Sequence, residues 1–219
     1  FLYVVLNGND QLAKIRWRDK KLIWQTPTGM APYGVTSANG KIYVTNWAGT
    51  RATDSLKERA GIPWGLVYTD PRTGATASGT ISVMDPVNGK IIKELTVGLH
   101  PNAIKAGKDG RYIYVCNGSD DWITVINTSK DLIVENIPVG LLKGIKAYGG
   151  SSPNGLSLNP DNSRLYVSNG MDNAVAVISL GQKSSVSGIG KSYVRGYIPT
   201  EAYPAGLILV NNQLVVANL

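Results

Sequence analysis

Few side chains in this chain have the type and spacing for covalent or metal chemistry. Among 219 residues there is one histidine and one cysteine. His100 and Cys116 stand 16 positions apart, whereas metal sites need clusters of His, Cys or carboxylate ligands. A Ser-His-Asp set would leave His100 to serve alone. His100 precedes Pro101 and reads as a turn residue that could also touch a ligand. Cys116 lies inside a strand pattern and reads as a small buried hydrophobe. Asp10, Asp120, Asp121 and Asp172 have the chemistry of calcium ligands, but their repeated place in hairpins assigns them to turns. Gly188-Ile189-Gly190 lacks the strand–helix context of a phosphate-binding loop and reads as linker. No catalytic residue, no metal and no cofactor is expected.

What remains is chemistry of recognition. Two stretches concentrate aromatic and cationic residues. Residues 47–78 carry Trp47, Arg51, Lys57, Arg59, Trp64, Tyr68 and Arg72, and residues 140–152 carry Lys143, Lys146 and Tyr148. His100 and Tyr203 stand in short connections nearby. Aromatics beside cations in a concave site suit a small anionic or glycan ligand, or a partner domain. The expected binding face comprises Trp47, Arg51, Trp64, Tyr68, Arg72, His100, Tyr148 and Tyr203. The competing reading is that the tryptophans only pin the 47–78 segment to the scaffold.

The scaffold is written in a repeated phrase: Tyr43-Val44-Thr45-Asn46, Tyr114-Val115-Cys116-Asn117 and Tyr166-Val167-Ser168-Asn169. Weaker copies are Val4-Val5-Leu6-Asn7 and Val215-Val216-Ala217-Asn218. The asparagines are 39, 71, 52 and 49 residues apart, and a proline precedes each of the last four by 14 to 16 residues. Repeats near this period in a strand-rich chain indicate β-propeller blades of four antiparallel strands, A to D. Asn7-Gly8, Asn117-Gly118 and Asn169-Gly170 read as tight hairpins with positive φ. The asparagine ending each strand B reads as a turn former.

Strands A to D are expected at 33–37, 41–46, 79–84 and 90–97 in the second unit. The third has them at 102–106, 111–117, 121–127 and 132–139, and the fourth at 154–158, 163–169, 173–179 and 193–199. The first unit supplies only B, C and D (2–6, 11–17, 20–26), and the last only A and B (206–210, 213–218). The fold expected is an all-β propeller domain over 1–219. It comprises a partial blade 1–29, blades 30–98, 99–140 and 151–200, and a partial blade 201–219. The chain opens and closes inside repeats and reads as a segment of a longer polypeptide. Only Asp54 to Ala60 suggests a helical turn, with Asp54 as its cap. Antiparallel order puts the B–C and D–A connections on one face, so the two long insertions share it.

Lysine and arginine total 22 against 15 acids, a net charge of +7. The charge is dispersed, the densest run being Arg16, Arg18, Lys20 and Lys21 at a strand turn, so nucleic acid is not expected as a partner. No transmembrane run is visible.

The repeated Tyr-Val-Thr-Asn phrase resembles the YVTN-repeat, YncE-like β-propeller family over almost the whole chain. Longer stretches carry a closer resemblance: Asn46-Trp47-Ala48-Gly49-Thr50-Arg51, Asp70-Pro71-Arg72-Thr73-Gly74 and Val97-Gly98-Leu99-His100-Pro101. These look like the amino-terminal propeller of bacterial bifunctional proteins that join a YncE-like propeller to an alkaline-phosphatase-like domain. The resemblance implies a seven-bladed ring in the complete protein. It also implies a periplasmic, outer-envelope or secreted location and a phosphoesterase domain outside this sequence. This segment is then a noncatalytic scaffold for a ligand or partner domain. The alternative is a stand-alone envelope or extracellular interaction protein that binds glycans.

Overall fold

A computed structural model describes residues 1–55, 57–62, 65–142, 150–181 and 190–219. The described residues form strands and turns, with one 3-10 turn at Asn7–Asn9. No helix among them is long and apolar enough to cross a membrane. The chain divides into two compact units, Phe1–Ile104 and Lys105–Leu219.

In the first unit, β1 (Leu2–Leu6), β2 (Gln11–Arg16) and β3 (Lys21–Pro27) form a three-stranded antiparallel sheet. A four-stranded sheet follows in the order β4 (Met30–Ala38), β5 (Lys41–Gly49), β8 (Thr80–Met84) and β9 (Ile91–Thr96). Between β5 and β8 lies a separate hairpin of β6 (Arg59–Ile62) and β7 (Gly65–Tyr68). The boundary between the units falls inside β10 (Pro101–Ala106), which is joined in one sheet to β11 (Tyr112–Asn117), β12 (Trp122–Asn127) and β13 (Leu132–Pro138). The second unit continues with the sheet β14 (Pro153–Leu158), β15 (Arg164–Asn169), β16 (Ala174–Ser179) and β17 (Tyr193–Pro199). It closes on the pair β18 (Pro204–Val210) and β19 (Gln213–Asn218).

Strand B carries the repeated phrase because it lies inside the sheet with both faces covered. Tyr43, Val44, Thr45 and Asn46 are all buried, as are Tyr114 to Asn117. The D strands β9 and β13, at sheet edges, alternate toward solvent. In the first unit, Leu12 of one sheet packs with Ile42, Val44 and Met84 of the next, flanked by Tyr3, Val5, Trp24 and Val35. Each sheet hides an apolar face that it could not cover alone.

Two irregularities recur. The C–D pairing shifts register after Lys14, Val83, Val125 and Val177, and such bulges increase the twist that each sheet needs. The A–B pairing shifts beside Pro32, Pro153 and Pro204, where a residue without an N–H would otherwise leave a gap in the ladder.

Two local expectations are corrected. Asp54 to Ala60 contains no helical turn among its described residues, because Arg59 and Ala60 are drawn into the β6–β7 ladder opposite Tyr68 and Val67. The positive φ of the Asn-Gly hairpins falls on Asp10 (53°), Asp121 (55°) and Asn173 (50°), not on the glycines. There the turn runs in a helical sense, with Asp10, Asp120 and Asp172 N–H groups donating to the carbonyls of Asn7, Asn117 and Asn169. A left-handed residue, a conformation that Asp and Asn tolerate, then closes it.

Candidate functional site

The connections between sheets are built on one device. β10, β14 and β18 each begin at a proline and β4 has Pro32 at its third position, and the residue before each of these prolines is left-handed: Ala31 (φ 53°), His100 (51°), Ser152 (52°) and Tyr203 (44°). Steric pressure from a following proline disfavours the right-handed helical region. Side chains of the preceding hairpin hold three of these junctions. The Ala31 N–H donates to Asp10 Oδ1 at 2.8 Å. The Ser151 and Ser152 N–H groups donate to Asp121 Oδ1 at 2.6 and 3.2 Å. The Tyr203 N–H donates to Asn173 Oδ1 at 2.9 Å.

The repeated asparagines of strand B, which end β11 and β15 and lie three residues before the end of β5, do more than turn the chain. Asn46, Asn117 and Asn169 have no solvent exposure. Asn46 Nδ2 donates to Thr80 Oγ1 and Ser82 Oγ, Asn117 Nδ2 to Trp122 O and Thr124 Oγ1, and Asn169 Nδ2 to Val139 O and Asp172 Oδ2. Each Oδ1 is buried without a hydrogen-bond partner among the described residues.

In the first unit these parts enclose a cavity of about 500 Å³. Val5 and Asn7 contribute from the first sheet and hairpin, Ala31, Pro32 and Tyr33 from the junction. Trp47 and Ala48 come from the end of β5, with Ile62 and Thr76 from the insertion. Asn7 Nδ2 donates to Pro32 O at 3.0 Å and fixes the junction to the first hairpin. Below lies a small apolar cluster of Met30, Ala31, Ala48 and Val67, against which Ile62 packs. Trp47 stacks on His100 with ring centroids 4.3 Å apart and planes inclined by 24°. The Thr76 hydroxyl oxygen is buried and has no partner among the described residues. Among the described residues no charged side chain lines the cavity.

The eight residues expected on the binding face have different fates. Trp47 and His100 meet in the stack, and Trp47 lines the cavity. Arg51 pairs with Asp10 (Nη2 to Oδ2, 3.1 Å), which is itself buried, and so braces the hairpin. Tyr68 lies on β7, where the Asp54 and Thr53 backbone N–H groups donate to its hydroxyl at 3.1 Å and, Asp54 foremost, lower its pKa. Arg72 is exposed and pairs with Asp70 at 3.0 Å. Tyr203 belongs to the second unit, where its ring lies over Gly170 and its hydroxyl is 3.4 Å from Ser152 Oγ. Trp64 and Tyr148 lie outside the described residues. Tyr33, Ile62 and Thr76 were not among the expected residues; the one available signal was Tyr33, an aromatic directly after a junction proline.

Among the described residues no group of three or more His, Cys, Asp or Glu side chains could hold a metal ion. Burial pushes the Cys116 thiol well above its ordinary value, so the reactive thiolate is suppressed. Burial also raises the Asp121 carboxyl, with smaller contributions from Asp172 and Asp120, against the two serine N–H groups that lower it. The arrangement can bind a molecule of modest size.

No family model matches the chain, and no curated protein does. Solved structures share its fold. A functionally unknown protein from Desulfotomaculum acetoxidans is 10% identical, with a TM-score of 0.68 over 99% of this chain and 58% of that one. Dihydro-heme d1 dehydrogenase NirN is 13% identical, with a TM-score of 0.64 over 99% of this chain and 39% of that one. A candidate 6-phosphogluconolactonase from Bacteroides uniformis is 17% identical, with a TM-score of 0.55 over 99% and 74%. The chain thus spans less than two thirds of the length of the first two. It is a β-propeller protein of four-stranded antiparallel blades, and its first unit carries an apolar cavity where hairpin, junction and insertion meet.

Proposed function

We propose that this chain is a noncatalytic β-propeller binding module that holds a small ligand in the cavity beside Trp47. The observation that carries this reading is the cavity itself. About 500 Å³ of space is lined by Tyr33, Trp47, Ile62 and Val5, with the polar Asn7 and Thr76 among them. Binding sites for small molecules have this size and this mixture of apolar wall and few polar groups. Among the described residues the lining carries no charge, which favours an apolar ligand body over an anion.

The Tyr-Val-Thr-Asn repeats support placing the chain among YVTN-repeat, YncE-like propellers. Within that reading the whole protein is exported and carries an alkaline-phosphatase-like phosphoesterase domain, to which this module presents its ligand or docks through the 47–78 face.

The test is a titration of the full chain with 8-anilinonaphthalene-1-sulfonate, followed by fluorescence and calorimetry. Tyr33→Ala with Trp47→Ala removes both aromatic walls, and the dye's affinity is expected to fall at least about tenfold, the equivalent of roughly 1.4 kcal/mol. Circular dichroism should remain unchanged, since both side chains are substantially exposed. Equal affinity in the double variant would remove the cavity as the binding site.

A further inference from the structure

A second cavity, of about 480 Å³, lies wholly within the second unit. It forms where the A–B turns of two successive sheets meet, at the strand ends opposite to the B–C and D–A connections. Asp109 and Arg111 come from the β10–β11 turn, Asp161 and Ser163 from the β14–β15 turn, and Ser179 from the end of β16. Its walls are tied to each other by the backbone. The Lys108 N–H donates to Asn162 Oδ1 at 3.1 Å, and the Leu180 N–H donates to Ser163 O at 2.9 Å. The lining differs in kind from that of the cavity beside Trp47, because charged and hydroxyl-bearing side chains dominate it. Asp109 engages Arg111 on one edge only: Oδ1 accepts its backbone N–H at 3.1 Å and Oδ2 its Nε at 2.6 Å. Among the described residues the terminal guanidinium nitrogens have no hydrogen-bond partner, and the Arg111 side chain is 71% exposed. The half-buried Ser179 hydroxyl is likewise unengaged among them. Ser163 Oγ accepts from Asn159 Nδ2 at 3.0 Å, which leaves its own O–H to donate.

We infer that this cavity is a second binding site and that it takes a neutral saccharide of one or two rings. Among the described residues the lining sets two carboxylates, Asp109 and Asp161, against one guanidinium. An anion would meet the carboxylates and a cation would meet Arg111, so either is disfavoured. A sugar hydroxyl both donates and accepts. Neighbouring hydroxyls can therefore accept from the Arg111 fork and donate to a carboxylate at once, with no charge to offset. Tyr112, which is half-buried, and Leu180 add apolar surface on which the C–H face of a sugar ring can rest. The volume suits a ligand of this size. The site shares no residue with the cavity beside Trp47 and does not depend on what that cavity binds.

The test is calorimetry on the full chain with four neutral sugars, N-acetylglucosamine, maltose, cellobiose and lactose. Two charged comparators accompany them: gluconate as anion and glucosamine as cation. At least one neutral sugar should bind with a Kd below about 5 mM, and more tightly than either charged comparator. Arg111→Ala removes the donor fork and should weaken that sugar at least about tenfold. Its circular dichroism should stay unchanged, since the side chain is exposed. Ser179→Ala should weaken the same sugar about twofold to tenfold, and it decides the matter if the arginine variant fails to fold. The inference is overturned if none of the four neutral sugars binds below about 5 mM, or if gluconate or glucosamine binds as tightly as the best of them. Undiminished sugar affinity in a folded Arg111→Ala protein would place the sugar elsewhere and overturn it too.

Discussion

Replacing Asp10 should show how much of the first unit's stability rests on one carboxylate. Asp10 is 7% exposed and left-handed, its Oδ1 accepts the Ala31 N–H at 2.8 Å, and Ala31 is itself 2% exposed. In Asp10→Ala the charge-assisted bond, about 1.5–3 kcal/mol, is lost and a buried N–H is left unmade. Alanine at φ 53° adds about 1 kcal/mol of backbone strain. The Arg51 pair contributes less than about 1 kcal/mol, since the arginine side chain is 53% exposed. The expected cost is about 3 kcal/mol. Asp10→Asn keeps both an acceptor and a residue that tolerates the left-handed region, and should cost about 1 kcal/mol. Urea unfolding followed by tryptophan fluorescence reads this directly, because Trp17, Trp24, Trp47 and Trp64 all belong to residues 1–104. An alanine variant within about 0.5 kcal/mol of wild type, or an asparagine variant as costly as alanine, would refute the reasoning.

Three further outcomes are expected. Gly170→Ala should destabilise the second unit by about 1–3 kcal/mol through overlap with the Tyr203 ring. The loss should shrink in a Tyr203→Ala background; additive costs in a double-mutant cycle would contradict the contact. Cys116 has no exposure and its thiol pKa is raised by burial, so Ellman's reagent should react only after denaturant unfolds the chain; stoichiometric labelling of the native protein would show otherwise. The Asp121 carboxyl is raised in the folded state, chiefly by burial. The native state therefore binds its proton more tightly than the unfolded chain, and this contribution to stability is lost as pH rises through and above the ordinary carboxylate range. Asp121→Asn keeps an acceptor for Ser151 and Ser152, so its stability relative to wild type should rise as pH increases through and above the ordinary carboxylate range. Parallel denaturation profiles would exclude the effect.

The strands were legible because central strands must be apolar on both faces. Tyr43-Val44, Tyr114-Val115 and Tyr166-Val167 marked strand B, and the β-branched runs after the hairpins marked strand C, to within a residue of the observed bounds except that β5 runs three residues past its expected end, to Gly49. The β6–β7 hairpin was not legible. Arg59-Ala60-Gly61-Ile62 has neither alternation nor β-branched enrichment, and Asp54 ahead of it imitated a helix cap. Of the site, Trp47 and His100 could be placed together because B–C and D–A connections share a face. Tyr33, Ile62 and Thr76 could not, because Ile62 and Thr76 come from the 47–78 insertion, whose β6–β7 hairpin was itself not legible, and Tyr33 from the junction beside it. Arg51 and Arg72 looked like ligand-facing cations in sequence, yet Asp10 and Asp70 engage them.

The junction clamps also bear on how the chain acquires its structure. Asp10, Asp121 and Asn173 each reach forward only 21 to 30 residues, to Ala31, Ser151 and Tyr203. In every case the acceptor sits in a hairpin that leaves the ribosome before its target. Each newly made segment therefore finds its anchor already waiting, and loop closure over such short spans costs little entropy. Assembly can run in the direction of synthesis, one sheet at a time, with no need for the two ends of the polypeptide to meet first.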